Sequence, residues 1–282
     1  MFRETVQTTG DNNPGVDMCF IIVIWGRKTM RNQQLQTDYT EDMVGYWKER
    51  SHTYSKDNRS QLENEKKTVW ENLILSNTTQ EKQLNILDVG TGPGFFAVLL
   101  AQKGHHVTAV DVSADMLERA KENLDYYQVH ADLRLLDGND LPFSDDTFDL
   151  VISRDVTWTL QQPEETLLEW KRVAKPGGQI LYFDANWYYH LFDEEWMKLH
   201  LENEKIKSQN GLPIHDKGKV MEDIARELPM SKRLRPTWDL EELPQLGFRN
   251  VKALKNLNSV IYTEEEQLKY RSKPEFLVIA EK

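Results

Sequence analysis

From Asn85 to Ala280, short apolar runs alternate with longer segments of mixed character, and the run lengths separate strands from helices. Ile86-Leu87-Asp88-Val89 is too short for a helix and stops at Gly90. Phe95 to Gln102 is apolar on nearly every side, as a helix buried against a sheet is, and Gly104 ends it. Val107 to Val110, β-branched and apolar, predicts a second strand ending at Asp111. Ser113 then suits the N-cap of another helix. A third strand is expected near Asp132 to Leu136, a fourth over Leu150 to Ser153, a helix over Gln161 to Val173 and a fifth strand over Gln179 to Asp184. Strands alternating with helices in this way predict an α/β fold with a doubly wound, mostly parallel sheet and helices on both faces.

The flanks read differently. Residues 39–56 begin as a helix behind Thr40, Glu41 and Asp42, and residues 60–77 form an amphipathic helix with Leu62, Val69, Trp70 and Leu73. Together they predict an N-terminal helical cap over 39–80. Residues 193–235 are charged and helix-prone, with breaks at Gly211-Leu212-Pro213 and Pro229. That is long for a connection, so a helical insertion is expected, either a lid over a substrate or a dimer contact. Residues 250–262 and Glu275 to Ala280 supply the last two strands, after a short helix that Gly247 ends.

Residues 1–38 read as an N-terminal extension that need not be ordered. Its apolar run Met18 to Trp25 is too short to span a bilayer, which takes about 20 residues, and it lacks a small-residue cleavage site. It reads as an extra strand or a loosely docked tail. Alternatively residues 1–29 precede a natural start at Met30, which the helix-like sequence that follows slightly favours. Hydrophobic residues at 39% suffice for a core in this 282-residue chain. A net charge of −11 leaves no broad basic footprint for nucleic acid and favours a small-molecule partner. The single cysteine, Cys19, allows no intrachain disulfide, which fits a cytoplasmic protein with no membrane partner.

The chemistry concentrates at Gly90-Thr91-Gly92-Pro93-Gly94, three glycines in five residues between a strand and a helix. Without Cβ atoms the main chain can turn off the strand and touch a ligand directly, with helix amides facing it. Asp111 follows 21 residues after Gly90, at the end of the next strand, where a carboxylate can accept from both ribose hydroxyls of a nucleoside. The dinucleotide fingerprint fails, because its third position is Phe95.

Asp88-Val89-Gly90-Thr91-Gly92-Pro93-Gly94 instead resembles motif I of the class I, Rossmann-like S-adenosylmethionine-dependent methyltransferases. Asp111, Ser113, Met116 and Leu117 match that family's Asp-x-Ser-x-x-Met-Leu pattern, Lys175-Pro176-Gly177-Gly178 its turn before the fifth strand, and Trp47, Arg50, Ser51 and Tyr54 its N-terminal segment. Asp140-Leu141-Pro142-Phe143 and Phe148-Asp149 match two further segments, with Gly138 where the family usually has alanine. The resemblance covers about residues 40–282 and implies seven strands, the last one antiparallel, in a methyltransferase domain spanning 39–282.

It implies S-adenosyl-L-methionine as cofactor, no metal, and direct in-line methyl transfer to a small-molecule acceptor. The cofactor residues it implies are Tyr54, Asp88, Gly90, Thr91, Gly92, Gly94, Asp111, Val112, Met116, Asp137, Gly138 and Arg154. Asp137 would accept from the adenine amino group and the Gly138 amide would donate to the ring. Substrate contacts are sought among Arg154, Asp155, Trp158, Trp187, Tyr188, Tyr189 and His190, with His190, Arg154 and Asp155 as catalytic candidates. His190 is the most plausible base. The Asn-Pro-Pro-Tyr/Phe motif of enzymes acting on planar amino groups of nucleic acids and proteins is absent; Ser153-Arg154-Asp155-Val156 stands there. Two alternatives remain open at this point: an NAD(P)-dependent oxidoreductase, and a non-catalytic S-adenosylmethionine-binding partner subunit.

Overall fold

The computed structural model describes residues 40–78, 83–212 and 218–282. The N-terminal extension, with Met18 to Trp25, Cys19 and Met30, lies outside them. The elements run α1 (Thr40–Leu62), α2 (Lys66–Leu75), β1 (Asn85–Val89), α3 (Phe95–Gln102), β2 (His106–Asp111), α4 (Ala114–Tyr126), β3 (Asp132–Leu135), β4 (Phe148–Arg154), α5 (Pro163–Val173) and β5 (Ala174–Ala185). Then follow α6 (Glu194–Gln209), α7 (Gly218–Glu227), α8 (Thr237–Gln245), β6 (Arg249–Leu254), α9 (Asn258–Ile261), α10 (Glu264–Lys269) and β7 (Glu275–Glu281).

The strands form one seven-stranded sheet in the order β3-β2-β1-β4-β5-β7-β6. β1 to β5 pair in parallel, and β7 inserts antiparallel between β5 and β6. The chain reverses direction across β1, so a crevice opens at the carboxyl ends of β1, β2 and β4, where open α/β sheets hold ligands. Alternation along the strands feeds two cores. Ile86, Ile152, Leu181 and Phe183 face α2 and α3, while Leu87, Val151, Ile180 and Tyr182 face α5 and α8. Trp70, fully buried, packs edge-on against Phe183, Phe96 and Phe95 at 5.0, 5.7 and 5.9 Å, and anchors α2 to the sheet.

Two expectations need correction, and a third segment can be placed. The first helix does not stop near residue 56 but runs unbroken to Leu62, and the break falls at 63–65, where Asn64 Oδ1 accepts from the Lys66 amide at 2.9 Å. Ser55 and Asn58 are poor helix formers but are buried, and Ser55 takes a hydrogen bond from Asn123 on α4 at 3.2 Å, so tertiary contact overrides propensity. The strand expected over 250–262 ends at Leu254, and Asn258 to Ile261 is helical. Asn258 explains the change, because its side chain accepts from the Glu275 amide at 2.7 Å and donates to the Tyr270 carbonyl at 3.0 Å, pinning the turn.

The third segment is 193–235. It is helical, but Met221, Ile224, Ala225 and Leu228 pack on Trp158 and on Met43 and Tyr46 of α1. None of its described residues lines the cavity below. Its described residues buttress α1 from behind. Among the described residues no helix is long and apolar enough to cross a membrane.

Candidate active site

A cavity at the carboxyl end of the sheet, partly open to solvent, is lined by residues of α1, the glycine turn and the ends of β2 and β4. The glycine turn forms its floor. Gly90 and Gly92 sit at φ +68° and +55°, a region that L side chains rarely adopt. A Cβ at Gly90 would also lie 2.3 Å from Val156 Cγ2. A Cβ at Gly92 would lie 3.7 Å from Tyr54 Cε1, so Tyr54 roofs the turn from α1. Trp47, about two turns earlier on α1, packs against Tyr54 at 5.6 Å, and both line the cavity with Asn58.

Asp111 clasps the turn. Its Oδ2 accepts from the Gly92 amide at 2.8 Å and its Oδ1 from the Ser113 amide at 2.9 Å. Asp88 accepts from the Thr91 hydroxyl at 2.6 Å. Burial pushes Asp111 up to about 6 and Asp88 up to about 7, with the hydrogen bonds pulling against it. Asn123, almost fully buried on α4, donates to the Pro93 carbonyl at 2.7 Å and so fixes the turn from behind.

At the other end lie Arg154 and Asp155. Arg154 lies over the rings of Trp70 and Phe95, 4.4 and 5.0 Å from their centroids. Among the described residues its polar contacts are long: 3.4 Å to Gln61 Oε1 and 3.4 Å to Asp155 Oδ2. Its buried Nε, the atom 3.4 Å from Asp155 Oδ2, makes no other contact with an acceptor there. Asn58 Oδ1 is buried without a hydrogen-bond partner among the described residues. Both residues line the cavity. Asp155 is held at φ +58°, unusual outside glycine, with its amide on the Phe183 carbonyl at 2.9 Å. Burial raises its carboxyl above the usual range, while Arg154 and the Tyr54 hydroxyl favour its charge.

The structure gathers Tyr54, Asp88, Gly90, Thr91, Gly92, Asp111, Val112, Met116, Asp137, Gly138, Arg154 and Asp155 around this one cavity. Asp137 is exposed and accepts from the Asn139 amide at 3.0 Å. The Gly138 carbonyl takes the Trp170 indole N–H at 3.1 Å, and a Cβ at 138 would stand 2.6 Å from Val89 Cγ1, which accounts for glycine at this position.

Two expected residues fall elsewhere. Gly94 does not line the cavity. Its φ is +83°, and a Cβ there would press on Ala120 at 3.1 Å, so it serves close packing of α3 and α4. His190 is buried away from the cavity and stacked on His200 at 3.9 Å. Burial, with His200 and Lys273 nearby, pushes it down to about 3. Trp158, Trp187, Tyr188 and Tyr189 also lie outside. Trp158 and Trp187 instead brace the loop after β4: the Trp158 amide and the Trp187 indole both donate to Asp184, at 2.8 and 2.9 Å. Asn58, Phe95, Asn139, Thr159 and Gln161 line the cavity without having been expected to. Asn58 had a signal: it lies one helical turn after Tyr54 and shares its face.

A family model described as a methyltransferase domain matches residues 87–182. The matched stretch, about a third of the chain, is a methyltransferase domain. That domain holds the glycine turn, Asp111, Asp137 and Arg154, whereas Tyr54 and Asn58 come from outside it, on α1. A malonyl-[acyl-carrier protein] O-methyltransferase of Erwinia billingiae is 38% identical over 111 residues, 39% of this chain and 42% of that protein. A demethylmenaquinone methyltransferase of Clavibacter sepedonicus is 41% identical over 100 residues, 34% of this chain and 39% of that protein. The chain thus spans about two fifths of the length of the curated relatives it matches.

Among solved structures, a chain from the complex of the Haloferax volcanii Trm112 methyltransferase activator aligns with a TM-score of 0.53, at 19% identity over 83% of this chain and 96% of that one. The [4+2]-cyclase SpnF aligns at 0.50, with 16% identity over 76% and 79% of the two chains. Both likenesses are of fold. The oxidoreductase alternative finds no support in the methyltransferase domain or in its relatives.

Proposed function

We propose that this chain is an S-adenosylmethionine-dependent methyltransferase acting on a small-molecule acceptor. The observation that carries the reading is the pairing of partner-short groups on the cavity wall with the glycine turn. The buried Arg154 guanidinium, whose polar contacts among the described residues are all long, and the unpartnered Asn58 Oδ1 suit the carboxylate and ammonium of an amino acid. Asp111, beside the bare Gly92, suits a ribose. Val112 and Met116 offer apolar surface for adenine, and Asp137 an acceptor at its edge. These groups fit the two ends of S-adenosylmethionine.

When bound, the cofactor supplies an electrophilic methyl on a cationic sulfonium. The chain's own residues supply position and a dry setting: Phe95, Phe96 and Tyr54 exclude water from the end nearest Arg154. Asp155 is the acid placed to hold a proton from an acceptor that arrives protonated, with Arg154 and Tyr54 fixing its carboxylate. The acidic balance of the chain and the sequence 153–156 support a small, non-nucleic-acid acceptor. A cytoplasmic setting goes with this reading, since one cysteine leaves no intrachain disulfide to form.

Calorimetry decides the cofactor. The expected result is binding of S-adenosylmethionine and S-adenosylhomocysteine and none of NAD, and the reverse would overturn the proposal. Labelled-methyl transfer into a metabolite extract then separates an enzyme from a binding subunit. Asp111→Ala should weaken cofactor binding by roughly 1–3 kcal/mol, since it removes charge-assisted bonds to the ligand and frees the Gly92 amide. An unchanged dissociation constant would place the ribose elsewhere.

A further inference from the structure

Glu275, the first residue of β7, is 1% exposed, a rare place for a carboxyl. Because β7 runs antiparallel, its start lies at the same sheet edge as the ends of β4 and β5, where the cavity opens. Register fixes its side. Arg154 pairs with Phe183, Phe183 with Leu277, and Ala185 with Glu275. Two-residue steps keep a face, so Glu275 points to the same face as Arg154, the face covered by α2. Two strand spacings and a two-residue offset, roughly 12 Å between backbones, separate them, a gap that two long side chains can bridge.

Glu275 is poorly satisfied. Oε1 accepts from the Tyr262 hydroxyl, and Oε2 is buried without a hydrogen-bond partner among the described residues. Its amide is taken by Asn258, so the backbone holds it in place. Arg154 and Asp155 act on it from the end of β4, Asp184 from β5 and Lys66 from α2. Lys66 is already committed to Glu266. Tyr54 and Tyr270 stand around the same guanidinium. Arg154 therefore has two acids within its field and, among the described residues, no close hydrogen bond to either.

We propose that Glu275 is a positioning residue for the ligand's anionic end: as the neutral acid it leaves Arg154 to the cavity, and as the carboxylate it competes with the ligand for that guanidinium. Asp155 holds the guanidinium from the cavity side. The fold gives the neutral form an advantage, since burial and the neighbouring Asp155 push Glu275 up to about 8. The sign follows: the ligand's carboxylate meets a free guanidinium below that value and a contested one above it. The inference rests on the cofactor reading given above and names a regulator of the same site.

The test uses S-adenosylhomocysteine and the full chain in calorimetry between pH 6.5 and 9.5. The wild-type dissociation constant should rise roughly tenfold across pH 8 to 9.5 beyond any rise seen in Glu275→Gln. The ligand's own amino group titrates against both proteins and cancels in their ratio. Tyr262→Phe, which removes the donor to Glu275 and so disfavours its charge, should move the wild-type rise to higher pH, and it keeps the test open should the Gln variant not fold. Equal pH slopes in wild type and Glu275→Gln, or an unmoved rise in Tyr262→Phe, would overturn the inference alone. No binding by the wild type at any pH would overturn the cofactor reading and this inference with it.

Discussion

Gly92→Val should abolish measurable binding of S-adenosylmethionine, a loss of at least about a hundredfold, while the protein still folds. Gly92 occupies φ +55°, where a β-branched residue is strained by roughly 1–2 kcal/mol. In this large chain such a cost moves the unfolding midpoint by only about 2–8 °C. The effect on binding has a different origin. The nearest protein atom to a Cβ at 92 is Tyr54 Cε1 at 3.7 Å, so the isopropyl group would enter the cavity itself, between the glycine floor and its tyrosine roof. The Gly92 amide also loses its alignment with Asp111, which it meets at 2.8 Å. Calorimetry and a thermal melt on the same sample separate the two consequences. Retained micromolar binding in a folded Gly92→Val chain would mean that the ligand sits elsewhere.

Arg235→Met should cost about 3–5 kcal/mol of folding stability, the largest effect expected from a single change outside the cavity. Arg235 is 4% exposed and Asp239 is fully buried. The guanidinium donates twice to Asp239, at 2.5 and 2.6 Å, and once to Thr157 Oγ1 at 3.0 Å, while the Tyr182 hydroxyl donates to Asp239 at 2.6 Å. Removing the cation leaves a buried carboxylate with one neutral donor. The double variant Arg235→Met, Asp239→Leu should recover part of the loss, because it removes the closer buried acid while Asp184, 3.9 Å from the guanidinium, keeps its other donors. Denaturant titration of the three variants checks this. If Arg235→Met alone costs under about 1 kcal/mol, the pair is not the fastener between α8 and the sheet that its geometry indicates.

Local features carry much of the fold. The glycine turn was readable at Gly90 and Gly92 because positive φ is a backbone demand that few residues meet. The strands over 86–89, 107–110 and 150–153 were readable because buried parallel strands are short, apolar and β-branched, whatever they pair with. Asp111 was placed by counting, since strand and helix lengths fix where the next strand ends. The strand expected past Leu254 failed for the opposite reason. Val260 and Ile261 have strand propensity, but one long-range asparagine bond to the backbone of β7 outweighs it.

The sequence by itself determined the order of strands and helices from β1 to β5, the bare turn and the acid facing it, because these follow from propensity, spacing and the steric freedom of glycine within one stretch of chain. Only the tertiary structure decided which residues meet at the cavity: it brought Tyr54 and Asn58 over the turn from α1, withdrew His190 into a stack with His200, turned Gly94 toward Ala120, and carried Glu275 to the face of Arg154 through an antiparallel last strand. Burial, ionisation and unmet hydrogen bonds arise from contacts between distant segments, and those contacts exist only once the chain has folded.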